Sequence, residues 1–144
     1  MPQSFSPWVL DPKITEPFGG ISVASLGDGT TVLLLSTSDG FLRVTFRQIH
    51  AMAIHEEFAH PLVDDDTPLP PLPNRQGSYP LLVVSESDWI KSFSESRLQG
   101  DGRIPIHYQF ISMSYFVAVL SYIPPVAEWV EPDAFDATFG GVAA

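Results

Sequence analysis

Proline limits what this chain can fold into more than any other residue does. The 144 residues include fourteen prolines and ten glycines, about a sixth of the chain. Because proline is excluded from helix interiors and from central strands, this composition favours many short elements joined by turns over a few long helices. Six of the prolines fall within residues 61–80, and we therefore predict a surface loop there.

Alternating hydrophobicity predicts several strands. Apolar and polar residues alternate over residues 42–47, which is the period of a strand with one face on the core. Two apolar runs flank the turn residues Gly27–Gly29 and predict a hairpin. The strongest β pattern is at Ile104–Ile123, where we predict an antiparallel hairpin that turns near Met113, followed by a short strand at 128–130.

One segment has the pattern of a helix. Apolar residues recur at helical spacing over about residues 86–98, and either Ser85 or Ser87 can serve as the N-cap. Acidic residues in the first turn suit the helix dipole, and glycines follow the last turn. The apolar side of this helix, which carries Trp89 and Phe93, is expected to face the core.

Together these patterns predict an α+β fold. We expect a curved, mainly antiparallel β-sheet packed against the helix at 86–98, with closure of the sheet into a barrel left open. Residues 1–130 are expected to form a single globular domain with an irregular N-terminal arm over residues 1–18 and the proline-rich loop at 61–80. Residues 131–144 are interpreted as a C-terminal tail.

The charge balance narrows the class of partner. Seventeen acidic residues against seven basic ones give a net charge of −10. Such a surface repels phosphate backbones, so no nucleic-acid partner is expected. It attracts a basic protein partner, although acidity can also serve only to keep a protein in solution.

Composition also bears on cofactors and membranes. The chain has no cysteine, which excludes disulfides, iron–sulfur clusters and thiolate zinc sites, and we expect no cofactor. The most hydrophobic run, Tyr115–Ile123, is shorter than the roughly 20 residues of a spanning helix, so no membrane partner is expected. With no secretory signal at its start, the chain is expected to be cytoplasmic.

Three histidines lie in a segment whose structure the sequence leaves open. Residues 48–60 fit a helix or a strand, and we favour the strand because no capping residue opens a helix. His55 and His60 are five apart, whereas the zinc motif H-E-x-x-H has its histidines four apart on one helix face. Together with His50 and the nearby Asp64–Asp66 they remain candidate metal ligands, but we predict no specific metal site.

Two arginines are the candidate ligand-binding residues. Arg43 and Arg47 share the outer face of one predicted strand, which runs over residues 42–47. Because basic residues are scarce in this chain, two on one face could hold an anionic ligand. The alternative is that they pair with neighbouring acidic side chains of the same sheet.

Three segments, in this order, resemble small uncharacterised bacterial single-domain proteins: residues 40–57, 88–93 and 107–129. Those proteins are built as a β-sheet with a helix before the last hairpin, and some of them are immunity proteins, which neutralise a toxin by binding it. The resemblance covers about residues 40–130 and rests on the core pattern. It implies an α+β fold and a protein partner, and it identifies no site residues.

The sequence therefore predicts a non-catalytic acidic binding protein, with the immunity type as one form, that associates with a protein partner or with itself as a homodimer. No G-x-S-x-G elbow or other catalytic constellation points to an enzyme. One alternative is a small metal- or ligand-binding domain, with a hydrolase as one form, that uses the histidine segment. A second is a self-associating scaffold subunit. Self-association is favoured by aromatic residues expected to be exposed, namely Trp8, Trp129, Phe135 and Phe139.

Overall fold

The computed structural model describes residues 3–9, 14–38, 40–56, 69–73, 77–93 and 103–131. Within these ranges the chain forms the following elements in order: β1 Ser4–Pro7, β2 Ile21–Ser25, β3 Thr31–Thr37, β4 Gly40–Phe46, β5 Ala51–Glu56, β6 Leu81–Ser85, α1 Asp88–Lys91, β7 Ile106–Ile111, β8 Tyr115–Ser121 and β9 Val126–Val130. None of the helical residues described belongs to a segment with the length and hydropathy needed to cross a bilayer.

The strands make two antiparallel sheets that pack face to face. One sheet has five strands in the order β1-β6-β7-β8-β5, and the other has four in the order β2-β3-β4-β9. Aromatic rings join the two sheets, since the ring centroid of Phe46 lies 5.6 Å from that of Tyr108 and 6.1 Å from that of Phe110. The buried cluster between the sheets includes Leu33, Leu35, Leu42, Val44, Phe46, Leu81, Tyr108, Phe110, Val117 and Val119.

The hairpins predicted from local patterns are confirmed. β2 and β3 join through a turn in which Asp28 Oδ1 accepts a hydrogen bond from the Thr30 N–H at 3.0 Å. Gly29 in this turn has a φ of +92°, a conformation that glycine adopts without strain. β7 and β8 pair around residues 112–114, where Ser112 Oγ accepts from the N–H of Tyr115. The predicted strand at 42–47 is present as β4, but β4 ends at Phe46 and leaves Arg47 outside it. The predicted strand at 128–130 is present within β9.

The central strands β7 and β8 of the five-stranded sheet are buried on both faces. Tyr108 and Val119 lie on the side of the four-stranded sheet, whereas His107, Gln109 and Leu120 point to the opposite side and are 0%, 1% and 0% exposed. Burial on both faces explains why β8 is almost continuously apolar rather than alternating.

The predicted α+β class is wrong, because the described residues contain no helix long enough to form a layer. The two sheets do not close into a barrel, and α1 is a single turn. Its N-cap is Ser87, one of the two predicted, whose Oγ accepts from the Ile90 N–H at 3.1 Å. After α1 the backbone forms a tighter 3₁₀-type turn. The Phe93 N–H donates to the carbonyl of Ile90, three residues earlier, and not to that of Trp89, four residues earlier. The rest of the predicted helix, residues 94–98, lies outside the described ranges.

The expected orientation of the helix is also wrong. No residue of α1 is buried, and Trp89 and Phe93 are only half-buried. The Trp89 ring lies 5.5 Å from the His107 ring, which places α1 on the face of the five-stranded sheet that is turned away from the core. Trp89 therefore covers His107 rather than filling the space between the sheets.

Two segments expected to lie outside the core contribute to it. The predicted irregular arm supplies β1, which pairs with β6 at the edge of the sheet, and it buries Ile14 and Phe18 to 2% and 0% exposure. The predicted surface loop buries Leu72 and Tyr79. Apolar side chains between prolines thus close one end of the sandwich, which the proline pattern does not reveal.

The ambiguous segment at 48–60 contains a strand, as we favoured, at β5. Parts of several other predictions also lie outside the described residues, among them residues 1–2 and 10–13 of the predicted arm. They also include 57–60 of the histidine segment, 61–68 and 74–76 of the proline-rich loop, and the tail from residue 132 onwards, which includes Phe135 and Phe139.

Candidate functional site

The two candidate arginines occupy different positions. Arg43 lies directly opposite Glu128 on the neighbouring strand β9, and its Nε donates to Glu128 Oε1 at 3.0 Å. This is the pairing with a neighbouring acid that the sequence left as the alternative. Both side chains are partly exposed, so the ion pair contributes at most about 1 kcal/mol. Arg47 is exposed and follows the last residue of β4, Phe46.

The candidate histidines are separated. The ring of His50 contacts the rings of Phe93 and Tyr122, each at 5.6 Å between centroids. His55 lies within β5 opposite Phe116, and His60 is outside the described residues. Within the described ranges, no three histidine or acidic side chains come together in an arrangement that could hold a metal ion.

In the described residues a groove of about 380 Å³ lies at one end of the four-stranded sheet. We call it the tryptophan groove. It is assembled from three separate parts of the chain: the segment before Phe18, the β3–β4 turn, and the end of β9. Its lining includes Thr15, Glu16, Thr37, Phe41, Trp129 and Glu131.

The groove has fixed walls. Ile14 and Phe18 are buried in the core cluster and form its inner side. Glu16 Oε1 accepts hydrogen bonds from the Ser38 N–H at 3.2 Å and the Ser38 hydroxyl at 2.9 Å, which ties the segment before Phe18 to the β3–β4 turn. Such fixed walls reduce the entropy lost when a ligand binds.

The groove combines an exposed aromatic ring with acidic groups. Trp129 lies opposite the buried Leu42 in the β4–β9 ladder but is itself 39% exposed, because β9 is the outermost strand of that sheet in the described residues. Among the described residues, the charged members of the lining are Glu16 and Glu131, both acidic. Apolar surface bordered by carboxylates suits a ligand that is apolar in part and positively charged in part.

A second polar feature, which could not be seen in the sequence, is a buried network of three hydrogen-bonded side chains. Ser87 Oγ lies 2.7 Å from His107 Nδ1, and His107 Nε2 lies 3.2 Å from Gln109 Oε1. Since the amide oxygen can only accept, Nε2 carries the proton and Nδ1 accepts from the Ser87 hydroxyl. Burial lowers the pKa of His107 from 6.5 to about 4, and the hydrogen bond with Gln109 opposes this in part.

The order of these three side chains resembles a serine–histidine relay, but their geometry is that of a structural network. Ser87 is 3% exposed, and its Oγ already accepts from the Ile90 N–H as the N-cap of α1. His107 is fully buried under Trp89. The three side chains therefore anchor the start of α1 to β7 and satisfy one another inside the protein.

Ser87→Ala is expected to lower the free energy of unfolding by about 1–3 kcal/mol. The change removes the N-cap and leaves His107 Nδ1 buried without its donor. Urea titration followed by far-UV circular dichroism measures the loss. Ser85→Ala is the matched control, since Ser85 ends the preceding strand but is exposed, and we expect it to change stability by less than about 0.5 kcal/mol. Equal losses in the two variants would contradict the anchoring role.

Comparison of the chain with protein-family models, with curated proteins and with the solved structures gives no match in any of the three. What the site can do therefore has to be inferred from its own residues.

Proposed function

We propose that this protein is a non-catalytic acidic binding module whose tryptophan groove takes a basic segment of a partner protein. The observation that carries the proposal is the groove itself, where the exposed ring of Trp129 is bordered by Glu16 and Glu131. An immunity protein is one form of such a module and is the form that the sequence resemblance implies. The location of this protein in the cytoplasm remains a prediction.

The aromatic residues of the groove provide the apolar contact. Trp129 has a large ring that is held on a strand and is still exposed, and tryptophan is among the residues that contribute most to binding at protein interfaces. Phe41 belongs to the neighbouring strand β4. A lysine or arginine of the partner can place its aliphatic stem against the Trp129 ring and its charge over the face of that ring.

The acidic residues provide attraction and orientation. Glu16 and Glu131 lie in the lining on a chain whose net charge is −10. A field of this sign raises the rate at which a basic partner is encountered, and the effect weakens as salt is added. Selectivity for basic partners follows, because an acidic partner would be repelled from the same surface.

The position of β9 favours an extended ligand. In the described residues β9 has β4 on one side and is otherwise at the edge of its sheet, so its other side can pair with an added strand. Val126 and Trp129 are the most exposed apolar residues of this strand. An extended segment that pairs with β9 would therefore run alongside the groove.

The test uses three short synthetic peptides in which valine alternates with lysine, with glutamine or with glutamate. Calorimetry is expected to show binding of the lysine peptide only, weakening as salt is raised. Trp129→Ala is expected to reduce the affinity by about tenfold or more. Ile123→Ala removes another exposed apolar side chain and should leave the affinity unchanged.

A matched pair of charge variants distinguishes binding in the tryptophan groove from attraction by the negative charge of the whole protein. Glu131→Gln and Glu56→Gln each remove one exposed acidic charge, but only Glu131 lines the groove. We expect Glu131→Gln to weaken binding of the lysine peptide several times more than Glu56→Gln. Equal effects of the two variants, or equal binding of the glutamate peptide, would contradict the proposed site.

A further inference from the structure

A different edge of the sandwich is apolar and almost without charge. In the described residues β2 and β5 are edge strands, and they border a cleft of about 310 Å³ that is separate from the tryptophan groove. The described residues that line it are all apolar or aromatic: Ile21, Val23, Ile54, Tyr115 and Val117.

Apolar side chains are exposed at this edge because the two sheets do not overlap completely. Ile54 lies opposite Val117, which belongs to the core cluster, so its side chain is on the core-facing side of the five-stranded sheet. It is nevertheless 52% exposed, and Met52 and Tyr115 are 37% and 46% exposed. The inner face of the five-stranded sheet therefore continues past the four-stranded sheet into solvent.

Strand β5 lacks the features that usually protect an edge strand from pairing. Such strands commonly carry lysine, proline or a bulge, which disfavour the addition of another strand. The sequence Ala-Met-Ala-Ile-His-Glu of β5 contains no proline and no lysine, and Glu56 is its one acidic residue. By contrast, the edge strand β1 ends at Pro7.

We infer that the β5 edge is an interface between two copies of this chain, in which β5 of each copy pairs antiparallel with β5 of the other. A two-fold axis at Ala53 places Met52 of each copy directly opposite Ile54 of the other, on the same face of the joined sheet. The two Glu56 side chains then lie at opposite ends of the paired strands. The strand is thus complementary to itself in its apolar side chains and does not bring like charges together.

The charge distribution favours a second copy over a basic partner at this edge. Two chains that each carry −10 repel one another, so they can associate only through a surface with few acidic residues. The β2–β5 edge is such a surface. It also offers a basic partner little attraction, unlike the tryptophan groove, and the two surfaces can be occupied at the same time.

Added salt is expected to strengthen the contact between the two copies, whereas it is expected to weaken the binding of a basic segment in the tryptophan groove. Added salt screens the repulsion between two acidic chains and strengthens the apolar contact, whereas it weakens the attraction of a basic segment. Sedimentation equilibrium of the full chain should show a mass about twice the 15.8 kDa of one chain at hundreds of micromolar. The dissociation constant should fall as salt rises from about 0.05 M to about 0.5 M.

Ile54→Lys tests the edge directly, because a lysine at this position protects an edge strand in the way that natural edges are protected. We expect the variant to remain a monomer under conditions in which the wild-type chain is a dimer. Ile104→Lys is the matched control, since Ile104 is 69% exposed outside the strands, and it should dimerise like the wild type.

Hydrogen exchange of the unmodified chain provides a second measurement that does not depend on the folding of a variant. Amides of residues 51–56 are expected to exchange more slowly as the protein concentration rises, while those of β9 should not change. A mass of 15.8 kDa at every concentration and salt would overturn the inference. Loss of the dimer in both lysine variants, or its persistence in Ile54→Lys, would do so as well.

Discussion

Phe110→Ala is expected to lower the free energy of unfolding by about 3–5 kcal/mol. Phe110 is fully buried in the middle of the five-stranded sheet. Its ring contacts Phe46 across the interface between the sheets and Trp8 on its own side, with centroids 6.1 Å and 6.2 Å apart. Removing it leaves a cavity between two sheets that cannot both move inwards, and the lost contacts add to the lost transfer free energy.

Phe93→Ala is the informative comparison for this measurement. Phe93 follows the single turn of α1, is half-buried, and is not part of the core cluster. We expect it to cost about 1 kcal/mol in the same urea titration. If the two substitutions cost the same, or if Phe110→Ala cost less than about 1 kcal/mol, the core would not lie between the two sheets as the structure places it.

The hairpins could be predicted from the sequence because their signals are local. The turn at Asp28–Gly29 and the alternation along β4 each involve a few neighbouring residues. The order of the strands could not be predicted in this way. β9 pairs with β4 although Arg43 and Glu128 are 85 residues apart, and no short-range pattern indicates that they meet.

The length of the helix was overestimated for a physical reason. Trp89, Ile90 and Phe93 have helical spacing, but a single turn is enough to place Trp89 over His107 and Phe93 against Trp89 and His50. A single turn gains little from propagation of hydrogen bonds, and its stability comes from the Ser87 cap and from these contacts.

The candidate sites show the same division between local and non-local information. The sequence indicated that Trp129 would be exposed, but Glu16, Thr37 and Trp129 come together only because three distant segments meet at the end of the sheet. The burial of His107 could not be predicted from the sequence for another reason. The alternation along β7 suggests a solvent-facing position for it, whereas the sheet is covered on both faces.

The stability of the protein is expected to fall by about 3 kcal/mol between pH 6.5 and pH 4 through His107 alone. The pKa of His107 is lowered from 6.5 to about 4 by burial, and the side chain is fully buried. Between these values the unfolded chain binds a proton that the folded protein does not, so acid favours unfolding. The contribution is complete above pH 6.5 and is lost as the pH falls towards 4. A displacement of the pKa by one unit corresponds to about 1.4 kcal/mol.

His107→Gln isolates this contribution from that of the carboxylates, which also titrate in acid. Glutamine can still bond Ser87 and Gln109 but cannot take up a proton, so the variant should lose about 3 kcal/mol less than the wild type over the same pH range, whatever its stability at pH 7. Urea titrations of both proteins at several pH values measure the difference. Protonation would also deprive the Ser87 hydroxyl of its acceptor, and α1 is anchored there. The fluorescence of Trp89 is therefore expected to change in acid before the sheets unfold. Parallel loss of stability in the two proteins would mean that His107 is accessible to protons in the folded state and is not buried as the structure shows.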